Sequence, residues 1–171
     1  MPVSRFSRLA SMAADQAARL LRVRWVVRAP VWAYRARLGM MFGSRLLMLE
    51  HTGRKTGARR HVVLEVLDRP DPGTWIVASG FGARAQWYRN VLATPQVRVY
   101  AGSRPPAQAV ACQLTPEEAT ATLARYAARH PRAWTALRPV LEASLGAPIS
   151  DHGTNLPLVA FQMSPQSSPP D

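Results

Sequence analysis

Cysteine, lysine and acidic side chains are the scarce residues of this 171-residue chain. A single cysteine, Cys112, excludes a disulfide framework and leaves no thiolate cluster for zinc, so a reducing interior is the expected setting. It lies in the apolar run AQAVACQL and reads as a buried, inert thiol. Ten acids against twenty-two basic residues leave a formal charge of +12. That surplus points to an anionic partner: nucleic acid, a membrane surface or an acidic small molecule. Lys55 is the one lysine among those twenty-two; the bias toward arginine sets the type of cation, not its purpose. Long hydrophobic runs are missing too. Without about eighteen uninterrupted apolar residues, no membrane-spanning helix is expected. Arginines 19, 22, 24, 28, 35 and 37 interrupt every early apolar run, so no secretory signal is expected and the location reads as cytoplasmic. Histidines 51, 61, 130 and 152 show no metal-ligand spacing, and no metal site is expected.

The length suits one domain with a sizeable core. Residues 1–44 carry eight arginines by position 40 against one acid, Asp15, and apolar residues recur there at helical spacing. This segment reads as a basic amphipathic helical arm that either lies on an anionic membrane surface or packs on its own domain. From Leu46 the pattern changes to strands: 45–51, 61–68, 74–79, 96–102, 107–114 and 156–163. RPDPG (69–73) is a turn, and QWYRNVLATP (86–95) is a short helix closed by proline. Thr115, Pro116 and Glu118 make a capping box that starts a helix running to His130, where Pro131 breaks it before a second helical piece to Leu145. The connections are mostly hairpins too short for parallel crossovers. The expected fold is therefore α+β: a barrel of about six mostly antiparallel strands over 45–163, with helical insertions, the arm in front and a disordered tail at 164–171.

EHTGRKTGARRH (50–61) gathers Arg54, Lys55, Arg59 and Arg60 around Gly53 and Gly57. Glycines admit an anion close to backbone N–H groups, and arginines clamp phosphate oxygens bidentately. The spacing matches neither Gly-x-x-x-x-Gly-Lys-Ser/Thr nor Gly-x-Gly-x-x-Gly. A bare cationic turn is the simpler reading of the loop alone. Glu65 is a carboxylate inside an apolar strand, either facing solvent or lining a pocket. SGFGARAQWYRN (79–90) joins a strand end, a glycine loop and the aromatic pair Trp87 and Tyr88, which reads as core or as a cofactor stack. No nucleic-acid motif accompanies the arginines, and no nucleic-acid partner is expected.

Three segments in order, HTGRKTGARR (51–60), VASGFGARAQWYRNVLATPQVRV (77–99) and LARYAARHP (123–131), resemble the deazaflavin (coenzyme F420)-dependent nitroreductase family, over roughly residues 28–163. The resemblance implies a split β-barrel, related to the pyridoxamine-phosphate-oxidase-like flavin barrels, that binds coenzyme F420, with FMN a weaker candidate. It implies that Thr52 and Gly53 begin a phosphate loop whose Arg54, Lys55 and Arg59 or Arg60 grip the phosphate and acidic tail. Val77, Ala78, Ser79 and Gly80 would lie beside the deazaflavin ring, Trp87 and Tyr88 near it, and Asn90 would hold the short helix. Ser79 is the candidate catalytic donor to an acceptor oxyanion. Gly80 stands where many members have lysine, and Glu65, His130 and Trp134 stand where substrate-lining tyrosines are expected, so these three form the candidate substrate pocket. The implied activity is hydride transfer from F420H2 to a hydrophobic conjugated acceptor such as a quinone, enone or nitro compound, by a monomer or homodimer that touches the inner membrane face through the arm. The competing classes are a non-catalytic cofactor or lipid carrier and an arginine-driven membrane or nucleic-acid binding module.

Overall fold

The computed structural model describes residues 45–102, 104–149 and 154–163. The expected arm (1–44) and tail (164–171) lie outside the described residues. Six strands form a closed barrel: β1 Leu46–Thr52, β2 Arg59–Asp68, β3 Thr74–Ala78, β4 Gln96–Ala101, β5 Ala107–Gln113 and β6 Leu158–Met163. Around the barrel they run β1-β2-β3-β6-β5-β4, and β4 closes onto β1. Every pairing is antiparallel. Among the described residues the α-helices are α1 Gln86–Ala93, α2 Pro116–Arg129 and α3 Pro131–Leu145.

Strand alternation sorts side chains between two apolar regions. Leu47, Leu49, Leu64, Trp75, Val77, Val99 and Phe161 fill the barrel. Leu67, Ile76, Leu158 and Ala160 face outward, where Leu123 and Tyr126 of α2 and Leu141 of α3 cover them. The capping box is formed as expected: the Glu118 N–H donates to Thr115 Oγ1 at 3.3 Å, and the Thr115 N–H donates to Glu118 Oε2 at 2.8 Å. Cys112 is half-buried on β5 rather than buried, with its thiol donating to Gln162 Oε1 at 3.8 Å.

The barrel is split where the candidate site lies. β1 pairs with β2 from Thr52↔Arg59 to Leu46↔Glu65, whereas β3 reaches β2 only at Val66↔Val77 and Asp68↔Ile76. Among the described residues, 59–65 therefore have a strand on one side alone. β3 ends at Ala78, and the chain departs through residues 79–85 into α1, which packs against β1 and β5.

Candidate functional site

The β1–β2 connection is the six-residue turn Gly53–Ala58, closed by Gly53 N–H to Ala58 O at 2.8 Å and Gly57 N–H to Gly53 O at 2.8 Å. Gly57 has φ +66, a left-handed conformation that side chains resist. A Cβ on Gly53 would meet Arg60 Nε at 2.8 Å, so the glycine lets that guanidinium cross the loop.

The strand begins two residues earlier than the expected 61, so Arg59 and Arg60 belong to β2 and not to the loop. Adjacent strand residues face opposite ways. Arg59 turns to the outer face, 3.6 Å from Glu50 Oε1, in a cluster with His61 (3.3 Å from Glu50 Oε2) and Tyr100, whose hydroxyl donates to Glu50 at 2.8 Å. Burial alone would raise the Glu50 carboxyl; hydrogen bonds from Tyr100 and His61 and the charges of Arg98 and Arg59 outweigh it and bring it below its usual value. Arg60 faces the other way, with His51 and Gly53. Of the two arginines, Arg60 is thus the one grouped with Arg54. Among the described residues, neither Lys55 nor Arg60 has an acidic partner within salt-bridge distance.

α1 anchors this loop. The Arg54 backbone N–H donates to Asn90 Oδ1 at 3.2 Å, and its Nη1 donates to Asn90 Oδ1 and to Gln86 Oε1, each at 3.0 Å. Asn90 Nδ2 lies 3.2 Å from Nδ1 of His51, which is buried on β1. Burial is the main reason the imidazole sits at about 4 rather than 6.5; a backbone hydrogen bond at Thr52 opposes the shift, and the charges of His61 and Arg60 add to it. The unfolded chain therefore binds a proton between pH 6.5 and 4 that the folded chain refuses. Stability contributed by neutral His51 is intact above 6.5 and falls as pH drops through that window, by at most about 3.5 kcal/mol. Denaturant midpoints measured from pH 7 to 5 should fall in the wild type and stay flatter in His51→Asn.

The segment after β3 is held just as firmly. Ser79 is fully buried, its N–H donates to Pro157 O at 2.8 Å, and its hydroxyl donates to Gly82 O at 2.7 Å. Its one proton is used inside the loop, so donation to an acceptor oxyanion would require that bond to break. Gly82 has φ +59, and its Cβ would meet Leu145 Cδ2 at 3.1 Å, while one on Gly80 would meet Leu141 Cδ2 at 3.4 Å. α3 therefore packs directly on the glycines. Trp87 and Tyr88 stand in the barrel core, edge to face with ring centroids 6.0 Å apart, and Trp87 also meets Phe161. Both rings are buried. Val77 is also core, and Ala78 packs outward against the helices.

Glu65, His130 and Trp134 are brought together by Tyr126, a residue absent from the sequence-based candidates. The Tyr126 hydroxyl donates to Glu65 Oε1 at 3.0 Å, and its ring lies 5.3 Å from His130 and 6.3 Å from Trp134. Burial first, then the charge and hydrogen bond of Glu65, push the phenol above its usual value, so it stays protonated. Arg45 Nη2 pairs with the same carboxylate oxygen at 3.2 Å. From Trp134, residues 137, 141 and 145 follow at helical spacing, so one apolar face of α3 runs from this cluster to the glycine loop. The repeat of Tyr126, His130 and Trp134 at i, i+4, i+8 was the signal that could have found Tyr126. A separate cleft of about 410 Å³, lined by Thr74, Cys112, Thr122 and Arg125 among others, includes no candidate residue. Among the described residues no three His, Cys, Asp or Glu side chains gather as a metal site, and no helix is long and apolar enough to cross a membrane.

A closed six-stranded antiparallel barrel with an open β2 edge, a cationic glycine turn and a glycine loop covered by helices defines a split β-barrel of the pyridoxamine-phosphate-oxidase-like kind. The chain belongs to the F420H(2)-dependent quinone reductase family, whose model matches residues 25–138, well over half of its length. Its cofactor is accordingly coenzyme F420. Among solved structures, Atu2129 from Agrobacterium tumefaciens, a protein of unknown function, is 20% identical with a TM-score of 0.51, over 80% of this chain and 55% of that one. The F420-H2 dependent reductase FDR-A is 20% identical (TM-score 0.49; 69% of this chain, 94% of that one). A putative pyridoxamine 5'-phosphate oxidase from Listeria innocua is 11% identical (TM-score 0.49; 78% and 94%). No curated protein matches in sequence.

The residues present fit the anionic part of that cofactor. A turn whose Gly53 lets the Arg60 guanidinium cross it, two cations without acidic partners among the described residues and a third oriented by α1 suit a phosphate followed by carboxylates.

Proposed function

We propose that the chain passes a hydride from F420H2 to a hydrophobic conjugated acceptor, with a quinone or enone favoured over a nitro compound. The observation that supports this most is Arg54 tied to Asn90 and Gln86 beside Lys55 and Arg60, at the open edge of β2. When bound, the reduced deazaflavin supplies a hydride, because carbon at ring position 5 disfavours one-electron steps. Arg54, Lys55 and Arg60 hold its phosphate and the start of its acidic tail. Val77–Gly80 form the wall beside its ring, and Ser79 fixes that wall by bonding Gly82. The α3 face from Trp134 to Leu145 excludes water and offers an apolar surface to the acceptor. Glu65 and His130, flanking Tyr126, give that surface its polar end. Arg59 stays outside the site, with Glu50. Residues 1–44, through their arginines, are assigned to an anionic membrane surface that holds such acceptors, and the working unit is a monomer or homodimer.

Titration of the purified protein with F420 and with FMN, followed by cofactor fluorescence, tests the assignment. F420 should bind at about micromolar or tighter, and FMN at least about tenfold more weakly. F420H2 oxidation should then accelerate with quinones and enones. Tight binding without turnover across that panel would make the protein a carrier. Binding of neither cofactor would remove the reductase assignment and leave the arginines to a membrane or nucleic-acid partner.

A further inference from the structure

Arg54 offers Asn90 only donors, its backbone N–H and its guanidinium. The Asn90 atom facing Arg54 must therefore be the carbonyl oxygen, which turns its NH2 group toward His51. Nδ1 of His51 must then be the bare acceptor, with the ring proton on Nε2. His51 is 5% exposed, at the inward position that Leu47 and Leu49 occupy earlier on the same strand. Besides a backbone hydrogen bond at Thr52, the side-chain contact of this polar ring is with Asn90, and it sets the direction of that amide. The reverse amide would aim an NH2 group at a guanidinium, removing both hydrogen bonds from Arg54 to Asn90 and leaving the one to Gln86.

We infer that His51 is a positioning residue for cofactor binding: through Nδ1 it orients the Asn90 amide, which aims the Arg54 guanidinium at the cofactor phosphate. The inference rests on the F420 reading of the site. It separates two kinds of histidine in one motif, since His61 sits on the outer face with Glu50 and takes no part.

The test is a double-mutant cycle read by F420 fluorescence titration. His51→Leu should weaken binding at least about tenfold, while His51→Asn, which keeps an acceptor at the δ position, should stay within about threefold of wild type. Arg54→Ala added to His51→Leu should cost much less than Arg54→Ala alone, because both remove the same interaction. Unchanged affinity in a folded His51→Leu, equal loss in the leucine and asparagine variants, or full additivity with Arg54→Ala would overturn the inference while leaving the F420 site standing. Wild-type protein that binds no F420 overturns both. If His51→Leu does not fold, the ¹⁵N shifts of His51 in the wild type decide the matter. An Nε2–H ring whose Nδ1 is hydrogen-bonded supports the role, and an Nδ1–H ring ends it.

Discussion

Replacing Arg54 and Lys55 together by alanine should raise the F420 dissociation constant about a hundredfold while the barrel stays folded. Charge-assisted hydrogen bonds contribute about 1.5–3 kcal/mol each, and exposed cations fall at the lower end, so two give about 3 kcal/mol. Stability is spared because the backbone N–H of residue 54, not its side chain, makes one of the bonds to Asn90. The Gly53–Ala58 turn also closes through main-chain hydrogen bonds and Thr56 Oγ1, without either substituted side chain. Arg59→Ala is the matched control. It removes one positive charge directly after the loop's last residue but on the opposite face, against Glu50, so affinity should change less than about threefold. If Arg59→Ala matched the double variant, the attraction would be a diffuse property of the basic surface and the face assignment would be wrong. Raising salt should weaken wild-type binding more steeply than binding by the double variant.

That control exists because of something the amino-acid pattern conceals. Short apolar runs bounded by turn residues marked all six strands, and Pro131 and the Thr115 box marked the helix ends, since these signals are local. Arg59 and Arg60 carry no apolar alternation, so they read as loop. Pairing with Thr52 and His51 makes them strand, and the pleat then separates them. Trp87 and Tyr88 were equally ambiguous, because two adjacent aromatics on a short helix suit a core or a stack. Only the closing of the barrel around Phe161 places them inside. The Glu65 cluster depended on α2 lying across β2, a contact some sixty residues apart in the chain. His51 did carry a signal, as a polar residue at the third inward position of LLMLEHT, but its partner lies on another element.

Asp68→Ala should be among the most destabilising single changes outside the barrel core, costing roughly 2–3 kcal/mol. Asp68 is buried at the end of β2, where Arg129 Nη2 donates to Oδ1 at 2.8 Å and Arg125 Nε to Oδ2 at 3.1 Å. Burial alone would raise this carboxyl; the hydrogen bonds from Arg129, Arg125 and the Arg69 backbone outweigh it and hold it below the usual 3.8. A depressed carboxylate contributes stability that is complete above the unfolded value and is lost as pH falls below it, so this part of the fold fails only in acid. The loss on substitution is smaller than for a fully buried triad, because both guanidiniums are half-exposed and rehydrate once freed. For a domain of this size, the cost corresponds to a melting temperature lower by roughly 5–10 °C. The consequence for the site is sharper than the loss of stability. Asp68 fixes the last turns of α2, and α2 carries Tyr126 onto Glu65 and leads directly into His130 and α3. Asp68→Ala should therefore raise the KM for the acceptor several-fold while leaving F420 affinity near wild type, since the phosphate loop is held from α1 instead. Equal damage to both would mean that the two ends of the site move as one body. A variant with a lowered melting temperature and unchanged KM would mean that the Tyr126 cluster does not touch the acceptor.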